Sequence, residues 1–129
     1  MTTELLERPQ HKDQVIVLVS AEQSEGEFFR MEYLAREVTI APRDHIHTEQ
    51  EERVEVLAGT LRCRIAGVER LLRAGDKVTI PIGTPHAVWS DDPAGSRSIG
   101  EYRPAMNAEA MFRGIIVKGA SRRGRDSRD

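Results

Sequence analysis

Short β-prone segments separated by turn signals fill this sequence from Val15 to Pro104, and no apolar pattern of helical period interrupts them. Many short strands with regular turns are typical of an all-β sandwich or barrel. We predict strands at VIVLV, FFRMEYL, EVTIA, VEVL, LRCRI, RLL, KVTI, HAVWS and SIGEY, which begin at Val15, Phe28, Glu37, Val54, Leu61, Arg70, Lys77, His86 and Ser98. In LRCRI the alternation puts Leu61, Cys63 and Ile65 on one face and two arginines on the other. The sequence therefore predicts sheets with one core face and one solvent face.

The length of 129 residues fits one compact domain. We expect four segments: a flexible N-terminal arm (1–12), a β-barrel (13–104), a short C-terminal helix (105–118) and a disordered tail (119–129). Pro104 ends the last strand because it has no N–H to donate. Asn107 is a good N-cap for the helix, whose apolar stripe should cover an open edge or end of the barrel. That stripe contains Met111, Phe112, Ile115 and Ile116.

Composition excludes several functional classes. The 19 Lys and Arg residues nearly cancel the 21 Asp and Glu residues, so a formal net charge of -2 gives no field that would attract nucleic acid or an anionic membrane. No apolar run approaches the length of a membrane helix and no secretory signal is visible, so a cytoplasmic location is expected. A single cysteine, Cys63, excludes an intrachain disulfide and a thiolate zinc cage. Any metal ion must be bound by histidine and carboxylate.

Three of the four histidines fall in two groups that a closed sheet could bring together. His45 and His47 are two residues apart, so on a strand both imidazoles point to the same face. Glu52 follows after a short polar link, and its carboxylate can supply an oxygen ligand to the same ion. His86 comes 34 residues after Glu52. Only a sheet that closes on itself makes these four residues neighbours.

Turn residues position the last histidine. In GDKVTIPIGTPHAVWS, Gly75 makes the turn into a strand and Pro81 ends that strand. Gly83 and Pro85 then fix a tight turn, so that His86 begins the next strand. This arrangement predicts that turn geometry aims the imidazole of His86.

These two segments resemble the paired motifs of the cupin superfamily. HIHTEQEERVEVLAG supplies the residues of the first motif, His45, His47, Glu52 and Gly59, and the second segment supplies Gly75, Pro81, Gly83 and His86. The resemblance implies a single cupin double-stranded β-helix (jelly-roll) barrel with one divalent metal ion, Fe, Mn, Ni or Zn, bound by His45, His47, Glu52 and His86. Two positions depart from the family pattern: Thr39 stands where the first motif has glycine, and Ser90 replaces the closing asparagine of the second.

Other residues near the motifs have simpler interpretations. Glu49 and Glu51 neighbour Glu52, but the family spacing to Gly59 selects Glu52 and leaves them as a solvated rim. Cys63 is expected to be a small buried side chain, and His11 to be solvated. Trp89 and Tyr102 could line the mouth of the pocket, or they could fill the core or an interface. Glu101 and Arg103 alternate with Tyr102 and could reach the cavity.

The resemblance leaves two classes of function open. The first is a metal-dependent enzyme acting on a small molecule, of the dioxygenase, isomerase, lyase or cyclase class, with no catalytic residue beyond the ligands singled out. The alternative is a non-catalytic small-molecule binding or sensing module with a structural metal. A structural or storage role is weaker, since those relatives are usually two-barrel chains and no internal repeat occurs here. Apolar strand segments suited to packing across a two-fold axis predict a homodimer.

Overall fold

The computed structural model describes residues 4–7 and 13–113. Nine strands follow one another within these described residues: β1 (Glu4–Glu7), β2 (Gln14–Val19), β3 (Phe29–Ala35), β4 (Glu51–Ala58), β5 (Thr60–Ile65), β6 (Val68–Arg73), β7 (Lys77–Ile80), β8 (His86–Trp89) and β9 (Ser96–Arg103). A helix, α1, covers residues 108–113. No helix among the described residues has both the length and the hydropathy needed to cross a membrane.

The strands form two antiparallel sheets. The larger has the order β1-β2-β3-β9-β4-β7, and the smaller has the order β6-β5-β8. Because β9 pairs with both β3 and β4, residues far apart in sequence share one level of the sheet: Tyr102 lies between Phe29 on one side and Glu52 on the other. This arrangement confirms the predicted all-β barrel with a short C-terminal helix.

Two apolar clusters form the core. One lies on the inner face of the larger sheet and beneath α1, and contains Val15, Val17, Phe29, Met31, Tyr102, Ala105 and Ala108. The other lies between the sheets and contains Val54, Val56, Leu61, Cys63, Leu72 and Val78. Successive side chains of a strand point to opposite faces of the sheet, so only alternate residues enter these clusters. In β2 every second residue is buried, although the segment VIVLV is apolar throughout. Each fully buried large side chain contributes about 1.5–3 kcal/mol.

Glycine is required where three chain segments meet at one end of the barrel. A Cβ on Gly59, which joins β4 to β5 with φ of 74°, would lie only 2.3 Å from the carbonyl oxygen of Gly95. A Cβ on Gly95 would in turn lie 2.8 Å from the carbonyl oxygen of Ala35. This close packing holds the β4–β5 turn against the start of β9 and the end of β3, and any side chain at Gly59 would force these segments apart.

The predicted strand at Glu37–Ala41 is wrong, because this segment has no regular ladder. It contacts the residue that follows β8 through Thr39, whose N–H donates to the carbonyl of Ser90 at 2.8 Å. The chain next meets β8 at His45, which forms an isolated bridge with His86. Five residues (40–44) therefore lie opposite three (87–89), and such a mismatch cannot keep a register.

The two ends of the chain differ in part from the expectation. Glu4–Glu7, expected in a flexible arm, instead forms β1 and pairs with β2. The described helix begins at residue 108, later than the predicted 105. Its Phe112 packs against Phe29, Tyr33 and Tyr102 and covers the first core cluster, as the apolar stripe predicted. His11, Ile115, Ile116 and the predicted tail (119–129) lie outside the described residues.

Candidate metal centre

His86 is held at the start of β8 by the turn that precedes it. β7 ends at Ile80, and residues 81–85 make the turn, in which Gly83 adopts a φ of 79°. The Nδ1 of His86 lies 2.8 Å from the carbonyl oxygen of Thr84, which can only accept, so Nδ1 carries a proton. In the neutral ring Nε2 is then the atom with the free lone pair. The side chain is 1% exposed.

The two histidines of the HxH segment reach His86 from an irregular segment and not from a strand. His45 and His86 exchange two backbone hydrogen bonds of 2.9 Å, and the N–H of Gly83 donates to the carbonyl of His47 at 2.8 Å. The rings of His45 and His86 lie 4.2 Å apart between centroids, and His47 lies 5.0 Å from each of them. Backbone bonds to the turn thus replace the strand that the spacing predicted.

Glu52 completes the cluster from β4, where it pairs with Ile80 on one side and Tyr102 on the other. Its Oε1 lies 3.1 Å from Nε2 of His86 and 3.4 Å from Nε2 of His47. Its Oε2 accepts a hydrogen bond of 3.3 Å from the hydroxyl of Tyr102. Each oxygen of this buried carboxylate therefore has its own partners.

The structure brings together the four residues predicted as metal ligands. One ligand atom from each of His45, His47, Glu52 and His86 lies within 4.8 Å of the others. Glu49 is exposed, and Glu51 forms an ion pair with Arg53, so neither belongs to this group. The family spacing thus selected the carboxylate that the fold delivers to the imidazoles.

Burial and short contacts shift the pKa values of the residues in the cluster. Burial raises the pKa of Glu52, but hydrogen bonds with His47 and His86 outweigh it and bring the pKa to about 2. Burial lowers the pKa of His86, yet its hydrogen bonds to Glu52 and to the carbonyl of Thr84 raise it overall. The pKa of His45 is lowered, first by burial and then by the charges of His86 and His47. Without metal, the lowered pKa of Glu52 and the raised pKa of His86 favour the charged form of each group.

This donor set fits a first-row divalent ion. Three imidazoles and one carboxylate are ligands that Fe, Mn, Ni and Zn accept, and four protein donors leave positions open on an octahedral ion. The proton on Nδ1 of His86 and the hydroxyl of Tyr102 at Glu52 are the outer contacts that orient such ligands. The sequence suggests Tyr102 as a pocket, core or interface residue; its contact with Glu52 depends on the register of β4 against β9, which the sequence does not reveal.

The cluster opens on a cavity of about 720 Å³ between the two core clusters. Trp89 and Tyr102 are among its lining residues, as considered from the sequence. Glu101 and Arg103 are not: Glu101 instead binds Arg30 and Arg103 on the outer face of the sheet. Cys63 is fully buried, and burial raises the pKa of its thiol, which agrees with a structural side chain.

Comparison with known proteins supports this description. Residues 29–96, more than half of the chain, match the Cupin_2 family, described as a cupin domain. Over 74 residues the chain is 34% identical to quercetin 2,3-dioxygenase from Bacillus subtilis (strain 168), an alignment that covers 57% of this chain and 22% of that protein. The chain therefore matches about a fifth of the length of this curated relative.

Two solved structures share the architecture. An RmlC-like cupin from Shewanella frigidimarina NCIMB 400 superposes with a TM-score of 0.64 at 20% identity, over 84% of this chain and 89% of that one. KdgF from Halomonas sp. superposes with a TM-score of 0.63 at 16% identity, over 84% of this chain and 99% of that one. At these identities the likeness concerns the fold. With the family match from the start of β3 to the first residue of β9, the chain belongs to the Cupin_2 family of cupin domains.

Proposed function

We propose that this protein is a metal-dependent cupin that acts on a small molecule bound beside His45, His47, Glu52 and His86. The observation that carries the proposal is the convergence of one ligand atom from each of these four side chains within 4.8 Å, beside a cavity that His45, His47 and Glu52 line. A buried carboxylate beside three imidazoles is unfavourable unless its charge is compensated. A divalent cation compensates it and also uses the free lone pairs of the rings.

The chain's own residues set the conditions for chemistry at this site. A bound divalent ion with open coordination positions would supply Lewis-acid or redox chemistry. Tyr102 holds Oε2 of Glu52 and so turns Oε1 toward the imidazoles. Apolar side chains from both sheets line the cavity, among them Met31, Leu61 and Val88, and they exclude water from the substrate.

Dioxygenase chemistry is the first specific candidate, because the curated relative is named quercetin 2,3-dioxygenase. The runner-up is a binding or sensing module in which the metal orients a ligand without turnover. One observation favours that alternative: Asp13, one of two carboxylates at the cavity wall away from the cluster, is already engaged by Tyr33 and by two backbone N–H groups. Near the cluster, Tyr102 is the additional proton donor that the described cavity wall offers. A cytoplasmic location and the absence of a nucleic-acid partner are further parts of the proposal, based on composition.

Metal content tests the ligand assignment. Protein purified without a His-tag or chelator should carry about one Fe, Mn, Ni or Zn ion per chain, measured by elemental analysis. His47→Ala and Glu52→Ala should each lose most of it, because each removes a ligand atom. Glu49→Ala is the matched control, since it removes an exposed carboxylate three residues from Glu52 and should keep full occupancy. Full occupancy in either ligand variant would contradict the assignment.

A second experiment separates enzyme from binding module. The Fe(II)-loaded protein should form a spectroscopic adduct with nitric oxide if a coordination position is open. The dioxygenase proposal also requires turnover of a small oxygenated compound that disappears in Glu52→Ala and persists in Glu49→Ala. If no adduct forms and a tightly bound metabolite already fills the cavity, the binding module is the correct function.

A further inference from the structure

Three inward-facing serines lie away from the metal cluster, and two of them, Ser90 and Ser98, line the cavity. Ser90 follows His86 and Val88 at steps of two residues, and Ser96 and Ser98 precede Tyr102 in the same way, so all three point to the interior. They are 5%, 6% and 6% exposed, respectively. Ser90 is four residues from His86, and Ser98 is four from Tyr102, which corresponds to about 13 Å along a strand. The cavity therefore has a metal-cluster end and a serine end.

The hydroxyl of Ser90 is buried without a partner. Among the described residues, the Oγ atoms of Ser90 and Ser96 have no hydrogen-bond partner. Buried hydroxyl groups are normally paired, and an unpaired one opposes folding. The backbone of Ser90 is fixed, because its carbonyl accepts from both the N–H and the hydroxyl of Thr39, at 2.8 and 3.3 Å. Ser90 and Ser98 line the cavity, whereas Ser96 does not.

The wall between the two ends is apolar, since Val54, Leu61 and Val88 line it. Two carboxylates stand near the serine end: Asp13, which accepts from the hydroxyl of Tyr33, and Glu37. Tyr33 pairs with Ser98 across the sheet, so these charges lie on the serine side. They disfavour an anionic group there and favour a neutral one.

We propose that Ser90 and Ser98 form a second polar subsite, which binds a neutral hydroxyl or carbonyl group at the far end of an elongated, mostly apolar ligand. The near end of that ligand carries an oxygen-bearing group toward the cluster; this part rests on the proposed function, whereas the serine subsite does not require metal. The two departures from the cupin motifs, Thr39 and Ser90, then have a common role. Thr39 positions Ser90, and Ser90 recognises the ligand.

Three straight-chain probes of similar length test the subsite: ω-hydroxyoctanoate, nonanoate and octanedioate. Dissociation constants are measured by calorimetry on the Zn²⁺-loaded protein. We expect ω-hydroxyoctanoate to bind roughly fivefold more tightly than nonanoate, the gain of one neutral hydrogen bond. Octanedioate should bind more weakly than ω-hydroxyoctanoate because its second carboxylate faces Asp13 and Glu37. Ser90→Ala should abolish the preference for the hydroxyl, and Ser96→Ala, equally buried but off the cavity wall, should keep it.

Equal affinity for ω-hydroxyoctanoate and nonanoate, a preference that survives Ser90→Ala, or no binding of any probe would overturn the subsite. Repeating the titration with metal-free Glu52→Gln protein distinguishes this failure from failure of the metal proposal. If only the metal assignment is wrong, the preference for the hydroxyl persists without metal and still depends on Ser90. If only the subsite is wrong, the carboxylates bind in a metal-dependent way with no preference among chain ends.

Discussion

At the residue scale, Tyr102 controls the orientation of the carboxylate at the centre. Its side chain is buried, and burial, followed by the charge of Glu52 and their hydrogen bond, raises its pKa well above the ordinary value. The hydroxyl therefore stays protonated and donates to Oε2 of Glu52. A carboxylate fixed in this way presents a single oxygen to the imidazoles.

Tyr102→Phe should weaken metal binding without removing a ligand. Outer contacts of this kind typically contribute about tenfold or more to metal affinity, so we expect the dissociation constant to rise by about tenfold. Competition with a chromophoric chelator measures it. Tyr33→Phe is the control, because its hydroxyl donates to Asp13 at the other end of the cavity and its removal should leave metal affinity unchanged. An unchanged constant in Tyr102→Phe would show that Glu52 does not depend on this hydroxyl.

The opposite pKa shifts of Glu52 and His86 predict how the stability of the metal-free protein changes with pH. The folded-state pKa of Glu52, about 2, lies below its ordinary value of 4.5, so its stabilisation is present above pH 4.5 and is lost as the pH falls toward 2. The pKa of His86 is raised above 6.5, so its stabilisation is present below pH 6.5 and is lost as the pH rises through the raised value. The combined contribution should therefore be greatest between these limits.

Urea unfolding in the presence of EDTA measures this contribution as the difference in unfolding free energy between the native sequence and Glu52→Gln. The difference should be greatest between about pH 4.5 and 6.5 and should fall on the acid side by on the order of 3 kcal/mol. The lowered pKa of His45 makes the folded protein less stable at acid pH. Its main cause, burial, is common to both proteins, so this effect largely cancels in the difference between them. A difference that stays constant from acid to neutral pH would mean that the imidazoles of His47 and His86 do not stabilise the Glu52 carboxylate.

At the scale of elements, alternation and turn residues predicted most of the barrel. β7 begins and ends where the turn signals placed it, and Gly75, Pro81 and Gly83 positioned His86 as expected. The strand predicted from the propensity of EVTIA does not form. The connection from β3 to His47 has one fixed contact at His86 in β8 and one at Ser90, just after β8, and too many residues lie between them for a ladder. Propensity describes a residue's own preference, whereas a ladder also requires matched lengths on both sides.

The candidate site, like the strands, was predictable where the signal is local and not where it depends on long-range pairing. Histidine spacing and turn chemistry suggested which ligands could converge, because those signals are local. The hydroxyl of Tyr102 and the serine end of the cavity are set by the register of β9 against β3 and β4, which joins residues some 50 positions apart. No local pattern encodes such a register, so the sequence placed Tyr102 near the pocket without assigning its partner.

At the scale of the whole molecule, the outer face of the larger sheet favours a homodimer. Leu5 on β1 is 50% exposed and lies opposite Ile16 on β2, so these two residues form an apolar patch at one edge of the sheet. An edge strand also has unpaired backbone groups that a second copy can cover. Dimers with two-fold symmetry are the commonest solution for such a surface.

Light scattering tests the homodimer directly, and we expect two copies per particle at micromolar concentration. Ile16→Lys should shift the protein toward monomer, because it places a charge in the patch where the two copies would meet. Val68→Lys is the matched control: Val68 is 62% exposed on β6 of the smaller sheet, so a lysine there should leave the dimer intact. Circular dichroism of both variants confirms that the barrel is folded. A monomer for the native sequence excludes the dimer, and dissociation by Val68→Lys alone moves the interface to the smaller sheet.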